Sequence, residues 1–141
     1  MSQGALDNLV GAGQLKTEAP AQGEFDGLVR SGNRRLGDAQ NSGLHLESRF
    51  DLAYNAAHAL SLAALRWHGY RSENRYLVFQ CLVHTLQLPP EQWRVLDQAH
   101  RKRNLAEYEG DLDIDAELLA ALIRVAAEVA KRVAALGPVR G

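Results

Sequence analysis

Between Phe50 and Trp67 the apolar residues Phe50, Ala53, Ala57, Leu60, Ala64 and Trp67 recur at alternating three- and four-residue steps. That is the period of an α-helix. Leu52, Ala56, Ala59 and Ala63 fill a neighbouring stripe, so the helix is apolar over a wide arc. A helix of that kind must be covered on several sides, which predicts a central position. Its alanines allow another helix to approach closely. The rest of the chain therefore has to supply helices that pack around it.

It can do so. The chain has 141 residues, the usual size of one domain, and 46% are hydrophobic. Folding at this size buries roughly two-thirds of the unfolded chain's surface. Cys81 is the one cysteine, so no internal disulfide forms, and a reducing setting fits. No apolar run approaches the ~18 residues of a membrane span. Met1 to Pro20 carries Asp7 and Glu18 and lacks the apolar core of an export signal. The expectation is a cytoplasmic protein without a membrane partner.

Eight of the twelve glycines lie in the first 43 residues. Residues 1–23 are read as a short helix, Ala5 to Val10, and a connection broken by Pro20. Residues 24–141 are read as the bundle proper. Glu24 to Gln40 carries a partial stripe of Phe25, Leu28, Val29 and Leu36, weakened by Gly27, Gly32 and Gly37. The central helix ends at Gly69, suited to a left-handed cap. Ser72 is a candidate cap for a helix over Glu73 to Gln87. Pro89-Pro90 stops that helix, and Pro90 can open the next, Glu91 to Glu109, which Gly110 breaks. Asp113 or Asp115 caps the last helix, whose inward stripe is Leu118, Leu122, Val125, Val129, Val133 and Leu136. No segment alternates with period two. The predicted fold is all-α, an up-and-down bundle of four to five main helices with short loops.

The net charge of −1 argues against a globally basic nucleic-acid binder. Locally the picture differs, because Arg101, Lys102 and Arg103 are consecutive. On a helix, Trp93, Leu96, His100, Arg103 and Glu107 share one stripe. Arg103 therefore follows apolar residues on their face and must be paired or meet a polar ligand. Asn104 and Tyr108 lie side by side near the helix end. A plainer reading stays open: Arg103 and Glu107 form an ordinary ion pair, and the basic residues favour the helix C-terminus. Arg71 and Arg75, around the Gly69-Tyr70 turn, either extend a basic groove with Arg101 to Arg103 or are solvated turn residues.

The phrase Arg101-Lys-Arg-Asn-Leu-Ala-Glu-Tyr108, together with Asp51-Leu-Ala-Tyr-Asn-Ala-Ala-His58 and Leu65-Arg-Trp-His-Gly-Tyr-Arg71, resembles the HEPN domains over roughly Glu24 to Leu136. These are small helical bundles that often dimerise, and many are ribonucleases of toxin–antitoxin and defence systems. Their motif is Arg, four to six residues, then His, with a polar residue after the Arg. Arg103-Asn104 matches its start. The resemblance implies a homodimer associated with RNA or a nucleotide, with Arg103, Asn104, Tyr108 and His100 at the site. Arg101, Lys102, Arg71 and Arg75 would assist in nucleic-acid binding. The reaction it implies is metal-independent RNA cleavage. The chain departs from the motif at Tyr108, which stands in place of its His. A phenol of pKa about 10 is a poor base at pH 7, although it can donate a hydrogen bond or stack on a base. His100, one turn before Arg103, is the residue that would replace the missing imidazole. The alternative implied is a non-catalytic interaction or substrate-holding module, partnering a separate nucleotidyltransferase or an antitoxin.

No cofactor or metal is expected. The five histidines include no pair at three- or four-residue spacing on one helix, and no phosphate loop or nucleotide fingerprint occurs. Asp111, Asp113 and Asp115 alternate, but a calcium loop's Gly and terminal Glu are missing. Cys81 reads as a buried small hydrophobe.

Overall fold

The computed structural model describes residues 2–110 and 114–140; the side chains of residues 2, 3 and 107–109 lie outside that description. Helices dominate: α1 (Ser2–Gly11), α2 (Gln22–Ala39), α3 (Leu46–Trp67), α4 (Arg75–Gln80), α5 (Leu82–Thr85), α6 (Pro90–Glu109) and α7 (Ala116–Ala134). Two short strands, β1 (Lys16–Thr17) and β2 (Tyr70–Arg71), pair antiparallel, with Lys16 opposite Arg71. The fold is an all-α bundle, as the periodicity predicts.

The central position of α3 follows from its arc. Phe50, Ala53, Ala56, Ala57, Leu60, Ala63 and Ala64 are buried, and α2 and α7 pack along it. α2 approaches closely at Gly32, where an added Cβ would lie 2.6 Å from Leu60 Cγ. Gly32 is therefore a packing position and not merely a weakness in the α2 stripe. α7 buries Leu119, Leu122, Val125, Ala126, Val129 and Val133. Leu119 replaces the expected Leu118, which is half-buried at the edge.

Termini follow the expected chemistry in most cases. Pro90 occupies the first turn of α6, where its missing N–H costs nothing, and Gly110 closes α6 with φ 72°. Gly69, φ 91°, ends α3. Asp115 caps α7 by accepting the Leu118 N–H at 2.6 Å; Asp113 lies outside the described residues.

Three local expectations are corrected. The helix placed over Glu73 to Gln87 is two pieces, α4 and α5, broken at Cys81. Its cap is Asn74, whose Oδ1 accepts the Leu77 N–H at 3.0 Å; Ser72 instead accepts the Asn74 N–H. The connection after α1 contains β1, a pairing too short to leave a period-two pattern.

The first residues pack onto the bundle. Leu6 and Leu15 join Leu65, Tyr70, Val78 and Cys81 in a second apolar cluster. Burial pushes the Cys81 thiol up to about 11, so it is a neutral thiol at pH 7. Arg66, 2% exposed, ties β1 and α2 to α3. Its guanidinium donates to Glu24 Oε1 at 2.7 Å and to the carbonyls of Glu18 (2.9 Å), Ala19 (2.8 Å) and Tyr70 (3.3 Å). Glu18 Oε2 lies 3.3 Å from its Nη2. Arg71 pairs with the same two carboxylates. A buried cation held by this many acceptors is the condition under which burying a charge is tolerated.

Candidate functional site

A polar stripe interrupts the apolar surface of α3: Asp51, Tyr54, Asn55 and His58, at helical spacing. It faces α4, which brings Arg75, Tyr76 and Phe79, and α6, which brings Asp97, His100, Arg101, Arg103 and Asn104. Tyr54 stands at the centre and is fully buried.

Its hydroxyl meets His100 Nδ1 at 2.9 Å. Asn104 Nδ2 approaches His100 Nε2 at 3.1 Å, so both ring nitrogens of His100 are engaged. The Tyr54 ring packs edge-on against Phe79 with centroids 5.6 Å apart. Two guanidinium groups flank it, Arg103 at 4.8 Å and Arg75 at 5.8 Å from the ring centroid, within the range of cation–π attraction. Arg75 Nη1 also donates to Asn55 Oδ1 at 2.9 Å. Asp51 stands 3.8 Å from Arg103 Nε, a loose pair across the α3–α6 seam.

The electrostatics follow from this arrangement. Burial raises the Tyr54 phenol pKa, while the charges of Arg103 and Arg75 oppose the rise. Burial also lowers His100; Asp97 works against this, and Arg103, Arg101 and Arg75 add to it. His100 is thus a neutral imidazole at pH 7. His58, packed edge-on to Phe79, is lowered to about 4 by burial and then by Arg75, Arg103 and Arg35. Asp97 is pushed up by burial, but hydrogen bonds from Tyr76 and Arg101 outweigh that and leave its carboxyl below the ordinary value.

Not all the residues singled out by sequence meet here. Arg103, His100, Asn104 and Arg75 do. Arg101 sits at the rim, held by Asp97 through Nε at 3.1 and 3.2 Å. Lys102 faces a different groove, between α6 and α7, with Leu105, Leu118 and Ala121. Arg71 belongs to the Arg66 cluster. Tyr108 is in the last turn of α6, and its side chain lies outside the described residues. Sequence reasoning did not assign Tyr54, Asn55, Tyr76 or Asp97. The signal for the α3 pair was present, since polar residues at helical spacing on an otherwise apolar helix need a polar neighbour.

Beside His100 the surface opens into a recess of about 380 Å³ lined by Asn74, Tyr76, His100, Arg101 and Asn104. Among the described residues no cluster of three or more His, Cys, Asp or Glu side chains could hold a metal ion. No described helix is long and apolar enough to cross a membrane. No family model, curated protein or solved structure matches this chain.

Proposed function

We propose that this chain is a HEPN-like, RNA-associated protein that holds a single-stranded phosphodiester at the α3–α4–α6 seam, between Arg75 and Arg103. The carrying observation is the convergence of two guanidinium groups from separate helices on one buried phenol ring, whose hydroxyl meets His100 on the wall of the neighbouring recess. Packing against Tyr54 orients each planar fork, and an oriented fork suits bidentate phosphate contact. The loose Asp51 partner of Arg103 is the kind of contact a phosphate displaces. His100, one turn before Arg103 and not after it as in the motif, is the imidazole that would replace the missing one. It is neutral at pH 7, but both its ring nitrogens are already bonded, to Tyr54 and Asn104. Cleavage of RNA also needs an acid for the leaving group. His58, with a pKa of about 4, supplies none at neutral pH. Holding RNA is therefore the activity these described residues support best, in keeping with a substrate-holding role beside a separate partner.

The same reading seats a second copy of the chain on the α6–α7 groove. This cavity of about 590 Å³ has Leu105, 51% exposed, with Leu118 and Ala121 as its apolar lining. Arg101 and Lys102 stand on its α6 side, Asp115 and Glu117 on its α7 side. A two-fold axis sets the basic wall of each copy against the acidic wall of the other. Leu105→Lys is expected to shift the protein to monomer in sedimentation. An unchanged mass distribution would place the dimer elsewhere or exclude it.

The test of RNA holding is fluorescence anisotropy with a labelled single-stranded RNA, in EDTA, over a series of salt concentrations. Arg103→Ala is expected to weaken binding and to reduce the salt slope by about 1. The RNA is expected to remain intact. EDTA-resistant cleavage lost in the variant would replace holding with catalysis, and affinity unaltered by Arg103→Ala would overturn the site.

A further inference from the structure

The recess beside His100 differs in character from the arginine pair next to it. Its lining has two rings, two carboxamides and one guanidinium, and no aliphatic side chain. The rings are Tyr76 and His100, with centroids 5.0 Å apart and planes inclined by 39°. Tyr76 is anchored through its hydroxyl, which donates to Asp97 Oδ1 at 2.8 Å, and by an edge contact to Trp93. Arg101 is matched by Asp97, and His100 is neutral at pH 7. The recess is thus polar but close to charge-balanced, a poor trap for a phosphate and a good one for a neutral heteroaromatic ring.

The carboxamides refine this. Asn74, a lining residue, spends its Oδ1 on the cap of α4, which leaves its Nδ2 as the amide's donor. Asn104 meets His100 through Nδ2, which leaves its Oδ1 as an acceptor. A ring seated on Tyr76 and His100 therefore finds a donor from one wall and an acceptor from another. A nucleobase edge carries both. The volume, about 380 Å³, falls within the ~300–1,000 Å³ of ligand pockets. His100 and Asn104 line the recess and also join the Tyr54 network, so a base here would be the neighbour of a phosphate there.

We infer that this recess is a nucleobase subsite, formed by Tyr76 and His100 as the stacking surface and by Asn74 and Asn104 as edge-reading groups. It rests on the phosphodiester reading of the adjacent arginine pair. Stacking of an unpaired base on an aromatic side chain holds single strands with little sequence preference, and the amide pair adds selection among bases.

The experiment compares a short single-stranded RNA with an abasic ribose-phosphate strand of the same length. The full-length protein is titrated with each by competition anisotropy. On the unaltered protein the base-bearing strand is expected to bind about tenfold tighter. The gap is expected to close in Tyr76→Leu and persist in Tyr76→Phe, which keeps the ring. Asn104→Ala, at an exposed position where the fold is not at risk, is expected to narrow it as well. Equal binding of both strands to the unaltered protein would remove the base subsite and leave the phosphodiester site standing, and so would a gap undiminished in both Tyr76→Leu and Asn104→Ala. If neither strand binds, both readings fall together.

Discussion

Two groups of arginines cross the helices of this protein, and they are held in opposite ways. Arg66 is sealed. Its guanidinium is matched by two carboxylates and three backbone carbonyls, and Arg71 shares the carboxylates. Arg103 and Arg75 instead lie over the face of Tyr54. There Asp51 stands at 3.8 Å from one, and a neutral amide, Asn55, bonds the other. The first arrangement returns to the buried cation what water would have supplied, so it reads as a fastener. The second places two cations over one phenol ring near the surface, the arrangement proposed above to meet a ligand's negative charge.

The largest effect should come from breaking the fastener. Arg66→Met removes a buried charge and leaves Glu24 and three carbonyls short of their donor. Loss of about 3 kcal/mol is expected, read from urea denaturation. A loss below about 1 kcal/mol would mean that β1 and α2 do not depend on this tie.

Gly32→Ala tests the packing that carries the polar stripe of α3 to its place. Its Cβ would meet the branched end of Leu60. Overpacking of this kind costs about 1–3 kcal/mol. The expected loss is in stability, with RNA affinity per folded molecule unchanged.

Acid should separate the two groups. Glu24 has its pKa lowered by its hydrogen bond from Arg71; burial opposes this, and Arg66 adds to it. Its contribution is present above the ordinary carboxylate value and is lost as pH falls through the depressed one. His58, beside Arg75 and Arg103, falls from 6.5 to about 4 in the folded protein. The unfolded chain thus takes up this proton first, and stability declines as pH drops from 6.5 toward 4. Denaturation midpoints against pH should show a decline in that window. His58→Phe should reduce it, leaving the parts due to His68 and His100, which burial also lowers, and the lower, Glu24-dependent part. An unaltered profile in His58→Phe would show that this imidazole is not protected in the fold.

The smallest expected change is Asp51→Asn. Asp51 is an exposed partner of Arg103, so stability should move by less than about 0.5 kcal/mol. RNA affinity should rise, because a competing carboxylate is gone. A fall in affinity would mean that Asp51 positions Arg103 rather than competes for it.

Much of this was legible in the sequence, for physical reasons. The long helices α3, α6 and α7 announce themselves by period and by caps, with Pro90, Gly110 and Asp115 each at a terminus whose chemistry suits them. The break at Cys81 and the β1–β2 pair were not legible, since a one-residue interruption and a two-residue bridge leave no pattern. At the site, His100, Arg103 and Asn104 could be grouped because one helix spaces them. The polar stripe of α3 signals that Tyr54 needs a polar neighbour, but not that the neighbour is His100, 46 residues away in the chain. Arg71 went elsewhere for the same reason: Glu18 and Glu24 reach it from 53 and 47 residues upstream. Local spacing shows which side chains share a face, and only the packing of helices shows which charge each one meets.

The division between a fastener and a site is tested most directly by Arg103→Met, measured for both denaturation midpoint and RNA affinity in the same preparation. A stability change below about 1 kcal/mol is expected, with a loss of RNA binding. A loss of stability comparable to that of Arg66→Met, with RNA binding by the folded fraction retained, would contradict it.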